Sequence, residues 1–150
     1  TKHVQFKNYV AKEPVIDNRI FLNGNRLFFL EPLESSSTQT YIEMARAVFD
    51  YYLQGKVSAV HVKEDITKYI KQLQNFVLWH YQTGSKFDTP FWEYAKTLTF
   101  KDETFDKFLG YSEISDCIPV TYGGTTQNKL YGQWPAYSFK NWNEGMTLNT

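Results

Sequence analysis

At 150 residues the chain has room for one real core and too little length for two ordinary domains. Sixteen basic and sixteen acidic side chains give a formal net charge of zero, which argues against a phosphate-binding surface and so against nucleic acid as a partner. One cysteine, Cys117, excludes an internal disulfide framework and a Cys cluster for zinc, and fits a reducing compartment.

The first elements are extended. From His3 to Val10 the pattern alternates loosely, with Val4, Phe6 and Val10 on one side, and Pro14 to Ile20 forms a second short piece broken by a hairpin turn at Asp17-Asn18. Arg19-Ile20-Phe21-Leu22 runs to Asn23-Gly24-Asn25, where glycine permits a backbone approach too close for a side chain. Leu27-Phe28-Phe29-Leu30 is apolar without alternation, as a strand covered on both faces would be.

Helices follow. The first opens around Ser35 to Thr38 and closes at Gly55, a left-handed C-terminal cap, with Tyr41, Ala45, Val48, Phe49 and Tyr52 as its buried stripe. The second runs from about Val62 to Thr83 and ends at Gly84; Ile66, Tyr69, Ile70, Leu73, Phe76, Val77 and His80 share a face, and Glu64 and Lys68 pair on the wet side. Thr89 and Pro90 are the N-cap and first position of a third helix, Phe91 to Leu98. A fourth spans Asp102 to Leu109, stopped by Gly110, and beyond it Ile118-Pro119-Val120, Gly123-Gly124 and Tyr131 to Trp142 read as irregular. The fold class is therefore mainly α with a small β element at the N-terminus (α+β), in a single domain over residues 1–150.

Two carboxylates, Glu31 and Glu34, sit at the seam between the apolar strand and the first helix. One of them, held against Leu30 and Leu33, would have its pKa raised into the range useful for proton transfer. The structural alternative pairs Glu31 with Arg26 and leaves Glu34 in the first helical turn, where the macrodipole favours a negative charge. His3, His61 and His80 have no metal-ligand spacing, so no metal site is expected. Aromatics make up 18% of the residues, which suits a large aromatic core or a pocket for a flat ligand. Thr1-Lys2-His3-Val4 has no apolar signal core and no run of about eighteen apolar residues occurs, so a cytoplasmic chain with no membrane partner is expected. It starts without Met and stops at Leu148-Asn149-Thr150 just after an aromatic cluster, as a piece of something longer would.

Glu31-Pro32-Leu33-Glu34-Ser35 resembles the Glu-Pro-Leu-Glu-Ser segment of flavin-dependent tryptophan halogenases. His80-Tyr81 followed by Asp88-Thr89-Pro90-Phe91-Trp92 resembles a second block of that family, in the right order and at about the expected distance. The resemblance covers most of the chain, thinly between the blocks, and corresponds to the C-terminal, substrate-side part of such an enzyme. It implies halogenation of an electron-rich aromatic, tryptophan or indole-like, with reduced FAD, oxygen and halide, and a flavin reductase as supplier of the reduced cofactor.

By position in that family, Glu34 is the catalytic carboxylate beside the substrate carbon. Ser36 and Ser37 stand where a helix N-terminus holds the halide. The family pattern usually reads Ser-Thr-Gly where this chain has Ser35-Ser36-Ser37, which puts the halide preference in question. Asn23, Gly24 and Asn25, with Ser35, stand near where related monooxygenases contact the flavin; a tight turn is the alternative for the first three. Trp134 and Tyr137 are the implied aromatic-substrate contacts. The residues of the second block are read as structural, with Asp88 and Thr89 capping a helix and His80 in the core.

No Gly-x-Gly-x-x-Gly turn occurs in these 150 residues, nor the family's Trp-x-Trp-x-Ile-Pro block and catalytic lysine, which precede this region. The FAD dinucleotide-binding part is thus missing from the chain, which is not expected to bind flavin tightly or to turn over by itself. Two other readings stay open on the residues: a helical interaction module that buries its aromatic surface in a homodimer or partner, and a small glycosidase using Glu31 and Glu34.

Overall fold

A computed structural model of the chain describes residues 7–30, 36–83 and 87–98, and the backbone of residues 119–122, 125–131 and 134–135. It divides into two compact units, Thr1–Gln74 and Asn75–Thr150, with the division inside a long helix. The described part is helix-rich and carries small antiparallel β elements before the first helix.

The first unit begins with four two-residue strands. Strand β1, Tyr9–Val10, runs antiparallel to β4, Phe28–Phe29, and Ala11 N–H donates to Leu27 O at 2.8 Å to extend the ladder. Between them, β2 (Val15–Ile16) and β3 (Ile20–Phe21) pair as the expected hairpin. Asp17 and Asn18 both take positive φ, 49° and 54°, and Arg19 N–H closes the turn on Ile16 O at 3.1 Å. Short polar side chains tolerate that mirror-image turn, whose twist matches the flanking strands.

Around β4 the apolar run is covered as expected, with Leu27, Phe28 and Leu30 all buried. The Asn-Gly-Asn stretch differs from expectation. It forms a 3-10 turn over Gly24–Arg26 with Asn23 as its cap, and an added Cβ on Gly24 would meet nothing within 4 Å. Glycine is required there by its φ of +57°, not by a close neighbour.

Helix α1, Ser36–Arg46, passes directly into a π-helical turn, Ala47–Tyr52, in which Leu53 N–H reaches back five residues to Val48 O. This corrects the expected buried stripe. Ser36, Thr40 and Met44 face inward, Tyr41, Ala45, Val48 and Tyr52 are half-buried, and Phe49 is 63% exposed. A widened turn shifts every later side chain around the axis, so a uniform period of 3.6 fails past Arg46. The wider turn also carries Tyr52 onto the hairpin, where its ring lies 4.7 Å from that of Phe21 and its hydroxyl donates to Asn18 O at 3.1 Å.

Gly55 ends this segment as expected, with φ +68°. Its N–H bonds Tyr52 O and that of Lys56 bonds Tyr51 O, both at 2.9 Å, the paired closure of a Schellman cap. A Cβ would have open space there, so the strain of Gly55→Ala is purely conformational. We expect that substitution to lower stability by about 1 kcal/mol and Gly55→Asn by less, read as a shift in denaturation midpoint at constant slope.

Helix α2, Ala59–Thr83, starts three residues before its expected boundary because Ser58 caps it: the Ser58 hydroxyl accepts from His61 N–H at 3.3 Å and meets His61 Nδ1 at 2.9 Å. In the first unit its buried side is Ala59, Val62, Ile66, Ile70 and Leu73. The expected Glu64–Lys68 pair is not among the ion pairs of the described residues; Lys63 instead reaches across to Glu13, an exposed pair worth little.

In the second unit the last turns of α2 bury Asn75, Phe76, Trp79 and His80. Helix α3, Pro90–Lys96, begins at the expected proline, with Thr89 extended at the cap position. Thr89 makes no side-chain cap bond, however, and Asp88 pairs with Lys96 at 3.6 Å, so neither side chain caps as expected. The segment read as irregular is an antiparallel sheet: β5 (Pro119–Tyr122) pairs with β6 (Thr125–Tyr131), and β6 with β7 (Trp134–Pro135). Gly123-Gly124 and the break after Tyr131 were read as disorder of pattern, whereas they separate paired strands. The helix expected over 102–109 and its neighbour Gly84 lie outside the described residues.

Candidate functional site

The start of α1 gathers the described residues of the expected site. Ser36 is 1% exposed and its carbonyl accepts the Thr40 hydroxyl at 2.9 Å, an internal bond that satisfies a fully buried threonine. Ser37 Oγ is enclosed and has no hydrogen-bond partner. Glu31, Glu34 and Ser35, immediately before the helix, lie outside the described residues, as does Tyr137. Trp134 is placed in β7, its backbone paired with Tyr131.

Tyr41, one turn into α1, is the centre of the arrangement and was read from the sequence only as core. Its hydroxyl donates toward two acceptors at 3.1 Å, Asn25 Oδ1 and Phe28 O. Its own carbonyl accepts from Asn23 Nδ2 at 3.1 Å, and its ring lies 5.2 Å from that of Phe28, tilted by 55°. Asn23 uses the other end of its amide on Gly24 N–H at 2.8 Å. The Asn-Gly-Asn turn is therefore laced to α1 through both asparagines, while the Gly24 side of the turn stays open.

Burial pushes the Tyr41 phenol above its usual pKa, and neighbouring Tyr9 adds to the effect; the Ser37 hydroxyl opposes it in part. Ser37 is near enough to ease ionisation, but the Tyr41 proton is already directed at Asn25 and Phe28, which leaves the serine oxygen without a properly aligned bond. The tyrosine thus stays a donor throughout the neutral range. The sequence signal for this tie was available in two asparagine amides flanking a glycine, since each needs partners when a turn is held against a helix.

The second block is structural in its described residues. His80 Nδ1 donates to Phe76 O at 2.8 Å, and its ring lies 4.3 Å from Phe76 and 5.2 Å from Trp79. Tyr81 stacks on Trp92 at 6.0 Å and meets the edge of Phe91 at the same distance, while Gln82 Nε2 donates to Leu98 O at 2.8 Å. These bonds pin α3 to the end of α2. Among the described residues no helix is long and apolar enough to cross a membrane.

The comparisons with known proteins agree with the two sequence blocks. The family model for tryptophan halogenase matches residues 3–143. The chain is 31% identical over 147 residues to tryptophan 6-halogenase ThaL of Streptomyces albogriseolus, an alignment covering 95% of this chain and 27% of that enzyme. No solved structure matches. The chain spans only about a quarter of the relative's length, but a match along nearly all of its own 150 residues is enough to state that it belongs to the tryptophan halogenase family.

Proposed function

We propose that these residues form the C-terminal, substrate-side portion of a flavin-dependent halogenase acting on an electron-rich aromatic such as tryptophan or another indole. The observation that carries this is the family match from residue 3 to residue 143. Reduced flavin with oxygen supplies the oxidising chemistry for halide in such an enzyme. In this chain Glu34 takes up the proton released as the ring carbon is substituted. Ser36 and Ser37 bring the first backbone N–H groups of α1 to the halide.

Two structural observations fit that assignment. Ser37 Oγ is an enclosed polar atom with no partner of its own, and such an atom at a helix start suits an anion site. Gly24 presents open backbone at a surface where nothing stands within 4 Å, room for Asn23, Gly24 and Asn25, with Ser35, to form one wall of a flavin site. The pyrophosphate cradle is not among these 150 residues. The aromatic substrate is assigned to Trp134 and Tyr137. The enzyme is placed in the cytoplasm, with a flavin reductase as its source of reduced cofactor.

The test uses the full open reading frame that contains these residues. Its product, given reduced flavin, oxygen and bromide, is expected to brominate tryptophan or indole, detected by the isotope pattern in mass spectrometry. The 150-residue chain by itself is expected to be colourless and inactive. A folded, yellow full-frame protein that leaves both aromatics unhalogenated defeats the proposal, as does an isolated chain that is yellow and active.

A further inference from the structure

We infer that Tyr41 is a positioning residue, which ties strand β4 and the Asn23–Asn25 turn to helix α1 and so holds in place the stretch between Leu30 and Ser36. Its value to catalysis rests on the halogenase reading above; the tie itself does not.

The geometry is that of a clamp closed from two sides. Before the stretch, the chain leaves β4 with Phe28 O held by the Tyr41 hydroxyl and Leu30 buried. After it, the chain enters α1 at Ser36, itself buried and bonded to Thr40. Tyr41 joins the two: its hydroxyl binds the strand side, its carbonyl binds Asn23, and its ring packs on Phe28. Asn25 takes the remaining share of the hydroxyl proton. A residue suspended between two anchored ends has less freedom than one on a loop tied at one end, which is what a proton-handling group beside a substrate carbon requires.

Local alternatives explain less. A tyrosine placed only to fill the core would point its ring inward and leave its hydroxyl to water. Here the hydroxyl finds protein acceptors from two other segments, and the asparagine amides are oriented toward the same residue. Burial, which keeps the phenol protonated, preserves the donor.

Tyr41→Phe keeps the ring against Phe28 and removes only the hydroxyl bonds; Asn25→Ala removes one acceptor and leaves Tyr41 intact. Both are made in the full-frame protein, and in the isolated chain for amide hydrogen exchange. We expect exchange at residues 27–30 and 36–40 to quicken about tenfold in Tyr41→Phe and less in Asn25→Ala, with helix α2 unaffected. In turnover, kcat of Tyr41→Phe falls about tenfold while the KM for the aromatic substrate is unchanged. Unchanged exchange on both sides of the stretch overturns the tie. Quickened exchange with wild-type kcat in an active enzyme overturns its catalytic role. A wild-type protein that never halogenates removes the functional reading instead, and quickened exchange in Tyr41→Phe then still upholds the tie.

Discussion

Glu34→Gln in the full-frame enzyme lowers the kcat of halogenation by about a hundredfold or more, with the KM for halide little changed. The size follows from general acid–base catalysis, where a positioned side chain contributes about 10²–10⁴ in rate. Glutamine keeps the shape and most of the hydrogen bonding of glutamate but cannot accept a proton from the substituted ring. The split between kcat and KM matters because a carboxylate that acts only in the reacting complex leaves ground-state binding alone. Glu31→Gln serves as the comparison, since its alternative role is a pairing with Arg26, and its effect on kcat is expected to be far smaller. Steady-state rates at saturating bromide check both; equal losses in the two variants would show that the segment, and not the acid at position 34, is what catalysis needs.

Phe28→Ala is the substitution with the largest expected effect on stability, about 3–5 kcal/mol. Phe28 is fully buried, pairs across β1 at Val10, and carries the ring contact to Tyr41. Removing it opens a cavity where a short strand and α1 meet, and two-residue strands have few other bonds to hold them. Against a typical total of about 5–15 kcal/mol, that loss leaves the first unit close to unfolding at ambient temperature. Phe28→Leu retains most of the buried volume and is expected to lose much less. Urea midpoints for the two variants decide the matter: equal midpoints would mean that the site can collapse around a missing ring.

How much of this was legible beforehand varied by element. The hairpin at Asp17-Asn18, the cap at Gly55 and the start of α3 at Pro90 were readable because each depends on one residue's own backbone preference. The buried side of α2 was also largely readable, since an unbroken helix keeps its period from Ile66 to His80. Trp79 was missed there, a bulky ring at the edge of the stripe that turns inward onto Phe76. The buried face of α1 was not readable. Its π-helical turn and the inward Thr40 and Met44 arise because Tyr52 is drawn to the hairpin and Thr40 satisfies itself on Ser36. The sheet over 119–135 was hidden for another reason: glycine pairs that punctuate strands resemble glycine pairs in loops when cross-strand partners are unknown.

The candidate site divides along the same line. Family membership and the identity of Glu34, Ser36 and Ser37 as its candidates came from residue order alone, because short motifs keep their chemistry in their side chains and spacing. That Asn23 and Asn25 converge on Tyr41 could come only from the tertiary structure. Hydrogen bonds between residues 16 and 18 positions apart depend on how a strand returns to a helix, and local preference carries no record of that path.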